Sequence, residues 1–153
     1  MNKLKILVEG YAKPGPGTTY QASPTCVLIY HNDLKILVDP GANKERLLNA
    51  LKEEDLVPND IDILFLSHYH PDHFLNLKLF PNNALYDGSM LWKDDTETAY
   101  SDKLPGTEIQ ILPTPGHSAE TRGTYIRRGR FRNCLHSPRR ILVGRWEARH
   151  FLA

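Results

Sequence analysis

Residues 68–73 read HYHPDH and place three imidazoles and one carboxylate in a single short segment. Such groups rarely crowd together in a folded protein unless a cation lies among them, and they are common ligands of zinc. Side chains two residues apart on extended backbone point the same way, so His68 and His70 can reach one ion. Asp72 and His73 are adjacent where the chain turns and point in different directions, which favours a second ion nearby. The segment therefore predicts a metal site with two subsites, against the alternative of a solvated polar loop.

An apolar run at residues 61–66 leads directly into this segment. Its continuous hydrophobicity is typical of a central strand that is covered on both faces. Asn43 can cap a helix over residues 43–56, because Leu47 and Leu51 fall on one face of it. Further strands are predicted at residues 4–8, 26–30, 34–38, 84–86 and 108–112, and a short helix at residues 74–80. This order of elements indicates an α/β sandwich.

Three segments are predicted to lie outside these elements. Residues 13–24 are rich in Gly and Pro and are expected to form a loop, which either borders the site or serves as a plain connector. Residues 93–102 are polar and are expected on the surface. His31 falls in the turn between two predicted strands, where a solvated surface histidine is expected.

The HYHPDH segment resembles the HxHxDH signature of the metallo-β-lactamase superfamily, and residues 114–118, TPGHS, resemble the next ligand segment of that superfamily. The resemblance covers about residues 4–118. Finer matches resemble the subgroup called metallo-β-lactamase domain-containing protein 1, and they lie at GYA (10–12), ILVD (36–39), NL (76–77) and LFP (79–81). The fold implied is a four-layer αββα sandwich.

The resemblance also implies which residues bind metal. His68, His70 and His117 would bind a first zinc ion, and Asp72 and His73 would bind a second. Asp39 would not bind metal itself but would orient a ligand through its carboxylate.

The chemistry implied is hydrolysis by a zinc-activated water that Asp72 orients as a catalytic residue. The substrate is an ester, thioester, amide or phosphodiester. The subgroup implies endonucleolytic hydrolysis of RNA, whereas the wider superfamily leaves thioesterase, lactonase and β-lactamase activities open. The expected partner is therefore RNA or a small-molecule substrate.

The composition changes after Ser118. Residues 119–153 contain nine arginines, two glutamates and no lysine, whereas Arg46 is the only arginine before them. The domain predicted at residues 1–118 would thus be followed by an Arg-rich tail of uncertain fold. We expect that the reading frame changes near residues 119–121, with a basic arm or an unusual short family member as alternatives. A basic arm would favour a different function, non-enzymatic binding of nucleic acid.

The tail also departs from the superfamily pattern, which requires an aspartate that bridges the two metals and a final histidine. No aspartate follows Asp102, and Arg145 stands after the strand-like ILVG of residues 141–144, where the bridging aspartate is expected. A cation there would repel the metals. We therefore expect an incomplete second half of the sandwich, one zinc ion or a weakly held second one, and impaired hydrolysis.

The composition limits the number of domains and the classes of protein that the sequence can represent. A chain of 153 residues with 41% hydrophobic and 24% charged residues is typical of one globular domain. No apolar run is long enough to span a bilayer, and no secretory leader is recognisable, so no membrane association is expected. Cys26 and Cys134 are too few for a disulfide framework. These features predict a cytoplasmic protein.

Overall fold

The computed structural model describes residues 2–114, 122–125 and 142–143. Twelve strands and two short α-helices occur in these ranges. They are β1 (Asn2–Val8), β2 (Tyr11–Pro14), β3 (Tyr20–Ser23), β4 (Cys26–His31), β5 (Leu34–Val38), α1 (Lys44–Glu53), β6 (Ile63–Phe65), α2 (Pro71–Phe74), β7 (Leu85–Tyr86), β8 (Met90–Lys93), β9 (Thr96–Ala99), β10 (Gln110–Pro113), β11 (Arg122–Tyr125) and β12 (Leu142–Val143). Turns of 3-10 helix lie at Pro58–Asp60 and Leu75–Leu79. None of the helices in the described ranges is long and apolar enough to cross a membrane.

Seven strands form the main sheet in the order β1-β4-β5-β6-β7-β8-β9. The three central strands β5, β6 and β7 are parallel to one another, and the remaining neighbours are antiparallel. Parallel strands end at the same edge of a sheet, so the residues that follow β5, β6 and β7 emerge side by side. These residues are Asp39, Leu66 and Asp87.

The hydrophobic core covers both faces of this sheet, as predicted for a central strand at residues 61–66. Leu64 packs with α1 in one buried cluster, and Phe65 packs in a second cluster on the opposite face. Ile111 of β10 belongs to the second cluster, so the three-stranded sheet β10-β11-β12 begins to cover that face. The layers are therefore helix, sheet and sheet, and no helix covers the outer sheet within the described residues. The predicted α/β sandwich with an incomplete second half is confirmed.

Helix α1 follows its predicted start and ends earlier than predicted. The side chain of Asn43 accepts a hydrogen bond from the backbone N–H of Arg46 at 3.1 Å, as an N-cap does. Leu47 and Leu51 are buried, which confirms the apolar face. The helix ends at Glu53 because Asp55 adopts a left-handed conformation with φ of 57°.

The prediction for His31 was wrong. His31 is the last residue of β4, pairs with Leu34, and is only 5% exposed. The turn itself is confined to two residues, of which Asn32 has a φ of 54°, a value that Asn tolerates well. The shorter turn leaves His31 inside the sheet.

Two predicted irregular segments contain hairpins instead. Strands β2 and β3 pair as a separate two-stranded ribbon within the segment that was predicted to be a loop, with Gly17 at a φ of 62° in the turn. Strands β8 and β9 pair across Asp94, at a φ of 51°, in the polar stretch. Residues of β9 are exposed, so the alternation of apolar and polar residues that signals a strand is missing there. The short helix predicted at residues 74–80 is divided between α2, which starts at Pro71, and a 3-10 turn.

Candidate metal centre

The HYHPDH segment leaves the sheet directly after β6. Ser67 and His68 are buried, whereas Tyr69 and His70 are exposed. His70 has extended backbone at φ −79° and ψ 138° and precedes Pro71, the first residue of α2. A residue before proline is biased towards extended backbone, and proline favours the first position of a helix, so the sequence itself sets this change of direction.

His68 and His70 direct ring nitrogens at each other. Nε2 of His68 lies 3.1 Å from Nδ1 of His70, and the two ring planes are inclined by 76°. Two nitrogens that bind one tetrahedral zinc at about 2.0–2.1 Å are separated by about 3.3 Å. The observed separation is therefore close to that of two ligands of one ion, as the alternation along the extended segment predicted.

His73 lies beside this pair. Its ring centre is 4.0 Å from that of His68, and the residue is buried. Nδ1 of His73 lies 3.0 Å from Oδ2 of Asp39, and Nε2 lies 3.9 Å from Oδ2 of Asp72. The carboxylate of Asp39 favours the tautomer with hydrogen on Nδ1. That tautomer presents the lone pair of Nε2 on the side where the partly exposed Asp72 carboxylate lies.

Asp39 also fixes the start of the HYHPDH segment, residues 68–73, which is called the ligand segment from here on. Its carboxylate accepts hydrogen bonds from the backbone N–H of Ser67 at 2.8 Å and from the Ser67 hydroxyl at 2.7 Å. The same hydroxyl lies 3.0 Å from Nδ1 of His68. One buried carboxylate thus contacts His73 directly and His68 through the Ser67 hydroxyl, and the orienting role expected for Asp39 stays a prediction.

The described donor set fits a zinc ion. Imidazole nitrogens and a carboxylate are ligands that zinc prefers, and the ring nitrogens of His68 and His70 face each other at 3.1 Å. No group of three or more His, Cys, Asp or Glu side chains within the described ranges is arranged to hold a metal ion, so the fit rests on the chemistry of the donors and on this one pair. His117, predicted to complete the first subsite, lies outside the described residues. The structure thus brings together His68, His70, Asp72 and His73, with Asp39 behind them, and their assignment to ions stays a prediction.

A second buried carboxylate, Asp87, was not predicted from the sequence. Its Oδ2 accepts hydrogen bonds from the Tyr69 hydroxyl at 2.6 Å and from Nε1 of Trp92 at 3.1 Å. Its Oδ1 accepts from the backbone N–H groups of Ser89 and Met90, both at 2.8 Å. The signal in the sequence was an aspartate directly after a short strand, the same placement that marks Asp39.

This network shifts the ionisation of its members. Burial by itself raises the pKa of Asp87, but the hydrogen bonds from Tyr69, Met90, Ser89 and Trp92 outweigh it and lower that pKa below its usual value. Burial and the hydrogen bond to Asp87 raise the pKa of Tyr69. Asp87 is therefore a carboxylate and Tyr69 a neutral donor near pH 7.

A small cavity of about 120 Å³ opens beside His68. Its walls include Ser67, Tyr69, Asp87, Ser89 and Arg122. The backbone N–H of Arg122 donates to the carbonyl of Ser67 at 3.0 Å, which joins β11 to the ligand segment.

The sequence is similar to known proteins of one kind. The profile of the metallo-β-lactamase superfamily matches residues 20–129. Metallo-β-lactamase domain-containing protein 1 of Xenopus laevis is 30% identical over 126 residues, which cover 76% of this chain and 54% of that protein. A metallo-hydrolase of Methanocaldococcus jannaschii, itself assigned provisionally, is 31% identical over 117 residues, which cover 75% of this chain and 58% of that protein. The chain thus spans somewhat more than half the length of these curated relatives.

Solved structures share the fold. A Thermotoga maritima protein that is provisionally assigned as a metallo-β-lactamase has a TM-score of 0.68 at 24% identity and covers 82% of this chain and 72% of its own. A quorum-quenching N-acyl homoserine lactone lactonase has a TM-score of 0.56 at 19% identity, covering 82% of this chain and 68% of its own. At these identities the likeness establishes the fold and leaves the substrate open.

Proposed function

Because the chain belongs to the metallo-β-lactamase superfamily, we propose that it is a zinc-dependent hydrolase whose metal centre is formed by His68, His70, Asp72, His73 and His117. The observation that carries this proposal is the 3.1 Å approach of Nε2 of His68 to Nδ1 of His70. Two imidazole nitrogens at this distance share either a hydrogen-bonded proton or a cation, and the carboxylate of Asp72, 3.9 Å from the neighbouring His73 ring, favours the cation.

Each residue has a distinct role in this proposal. His68 and His70, with His117, hold the first ion, while His73 and Asp72 hold the second. Bound zinc supplies Lewis-acid polarisation of the scissile bond and lowers the pKa of water. The carboxylate of Asp72, 29% exposed, faces solvent and can accept a hydrogen bond from the attacking water and orient it.

For the substrate we propose an RNA phosphodiester. The sequence resembles a subgroup for which endonucleolytic activity is implied, and a second ion, where it is retained, would suit in-line displacement at phosphorus. We expect the rate to be low, because no aspartate follows Asp102 to bridge two ions. Thioesters and lactones are the competing substrates within the same fold. A different function, nucleic-acid binding without hydrolysis, would rest on the arginines of residues 119–153 and on charge alone.

The experiment compares metal-free protein with protein to which zinc or manganese has been restored, on single-stranded RNA, a thioester and a lactone. We expect RNA cleavage that requires metal and that Asp72→Asn reduces at least tenfold, while Asp94→Asn, an equal change of charge on an exposed turn, has no effect. Metal-dependent turnover of the thioester or lactone alone would overturn the assigned substrate. RNA binding that survives chelation and weakens steeply with salt, without cleavage, would overturn the assigned hydrolase function.

A further inference from the structure

Asp87 occupies a position that mirrors Asp39 across the ligand segment. Asp39 follows β5 and Asp87 follows β7, the two parallel neighbours of β6. The backbone N–H of Asp39 donates to the carbonyl of Phe65 at 3.0 Å, and the backbone N–H of Leu66 donates to the carbonyl of Tyr86 at 2.8 Å. Hydrogen bonds from both neighbouring strands therefore continue up to the point where the ligand segment leaves the sheet.

The Asp87 carboxylate is a fixed anchor. The residue is only 8% exposed, and its two oxygens accept from two backbone N–H groups and two side chains on opposite sides. A carboxylate with this many donors loses little further freedom when it binds the Tyr69 hydroxyl, and a hydrogen bond to an ionised acceptor is stronger than a neutral one.

Tyr69 connects this anchor to the metal ligands. It lies between His68 and His70 in the chain, and it is half exposed, so burial of its ring contributes modestly to holding it. His68 is also held through Ser67 and Asp39, whereas His70 is exposed and lies beyond that contact. The 2.6 Å hydrogen bond from Tyr69 to Asp87 is thus placed to fix the backbone that carries both rings.

We propose that Asp87, acting through the Tyr69 hydroxyl, is a positioning residue that holds His68 and His70 at the separation required for one ion. The proposal rests on the metal centre of the proposed function. Removing the hydroxyl in Tyr69→Phe should weaken zinc and cobalt binding about tenfold, at the lower end of the range for partners that orient metal ligands. Replacing Tyr69 by Phe leaves the net charge of the protein and the aromatic ring at position 69 unchanged.

The matched control is Tyr100→Phe. It removes a hydroxyl from the same network, but that hydroxyl donates to the backbone carbonyl of Asp87 and not to the carboxylate that binds Tyr69. Metal affinity is measured by competition with a chelator, and the visible spectrum of the cobalt form reports coordination geometry. We expect Tyr69→Phe to lower affinity and change the spectrum, and Tyr100→Phe to retain both.

Crystal structures of the metal-free variants separate this proposal from the proposed function. We expect the nitrogens of His68 and His70 to remain about 3.1 Å apart in the wild type and in Tyr100→Phe, and to move apart or become disordered in Tyr69→Phe. A wild type without metal affinity would overturn the proposed function, and these structures would still decide the positioning role. Unchanged affinity, spectrum and ring separation in Tyr69→Phe, or equal losses in both variants, would overturn the role of Asp87.

Discussion

Replacing Asp39 by Asn should disable the metal centre while leaving the fold intact. In the structure the Ser67 hydroxyl donates to Oδ2 of Asp39 and is therefore free to accept from Nδ1 of His68. The same Oδ2 faces Nδ1 of His73 at 3.0 Å. The Asp39 carboxylate therefore favours hydrogen on Nδ1 of His68 through the Ser67 hydroxyl, and on Nδ1 of His73 by its negative charge, since that nitrogen makes no hydrogen bond of good geometry. These tautomers leave a lone pair on each Nε2, as metal binding requires.

The substitution reverses these directions. With Oδ1 still accepting from the Ser67 backbone, the amide nitrogen of Asn takes the place of Oδ2 and donates to the Ser67 hydroxyl and to His73. The hydroxyl then donates to Nδ1 of His68, so Nε2 of both rings carries hydrogen. Losing one orienting partner costs about 10- to 100-fold in metal affinity, and since two rings share this atom we expect a loss of about 100-fold. That factor corresponds to about 2.7 kcal/mol.

The free energy of unfolding of the metal-free protein should change by less than about 1 kcal/mol, because the hydrogen bond from the Ser67 backbone is kept and the one with the Ser67 hydroxyl re-forms with donor and acceptor exchanged. Asn also tolerates the φ of 52° at this position. Zinc affinity is measured by chelator competition and stability by urea unfolding. Asp55→Asn is the control, with the same loss of charge at a φ of 57° on the surface. Zinc affinity of Asp39→Asn within about threefold of that control would refute this reasoning.

Three further predictions concern the proposed metal ligands, Gly88 and Asp87. His70→Ala and His117→Ala should each lose zinc on dialysis, measured by metal analysis, and equal retention in both would contradict the assigned ligands. Gly88→Ala should destabilise the protein by about 1–3 kcal/mol in urea, since the new Cβ would lie 2.0 Å from Cγ of Arg122, and adding Arg122→Ala should relieve most of that loss. Folding lowers the pKa of the Asp87 carboxyl from its unfolded value near 3.8, so the ionised carboxylate stabilises the fold at pH values above 3.8. This stabilisation is lost as the pH falls through the pKa of the folded state. The stability difference between wild type and Asp87→Asn should therefore shrink below about pH 4 in metal-free urea titrations, and a constant difference would contradict the shift.

Sequence patterns predicted the central fold because they arise from burial. The apolar run at residues 61–66 identified β6, and the Asn43 cap identified the start of α1, since each reflects a local physical requirement. The hairpin of β8 and β9 was missed because exposed strands carry no apolar alternation. The burial of His31 was missed because the turn was predicted one residue too long, and in a strand one residue decides which face a side chain occupies.

For the candidate site, too, the sequence predicted some residues and missed others. Spacing alone predicted that His68 and His70 converge, and resemblance supplied the role expected of Asp39. Asp87 was missed because the role proposed for it depends on Tyr69 and Trp92, which the pairing of β7 with β6 and β8 brings to its carboxylate. A single sequence contains no local sign of such pairing.

The register of the sheet sets the geometry of the metal ligands. Val38 lies opposite Phe65, and Phe65 lies opposite Tyr86. Leu64 and Phe65 are buried in clusters on opposite faces, so a slip of β6 by one residue would exchange their environments and is strongly disfavoured. The same slip would move Ser67 by about 3.3 Å along the strand and break its 2.7 and 2.8 Å hydrogen bonds to Asp39. The apolar side chains of β6 therefore help to determine where the ring nitrogens of His68 and His70 meet.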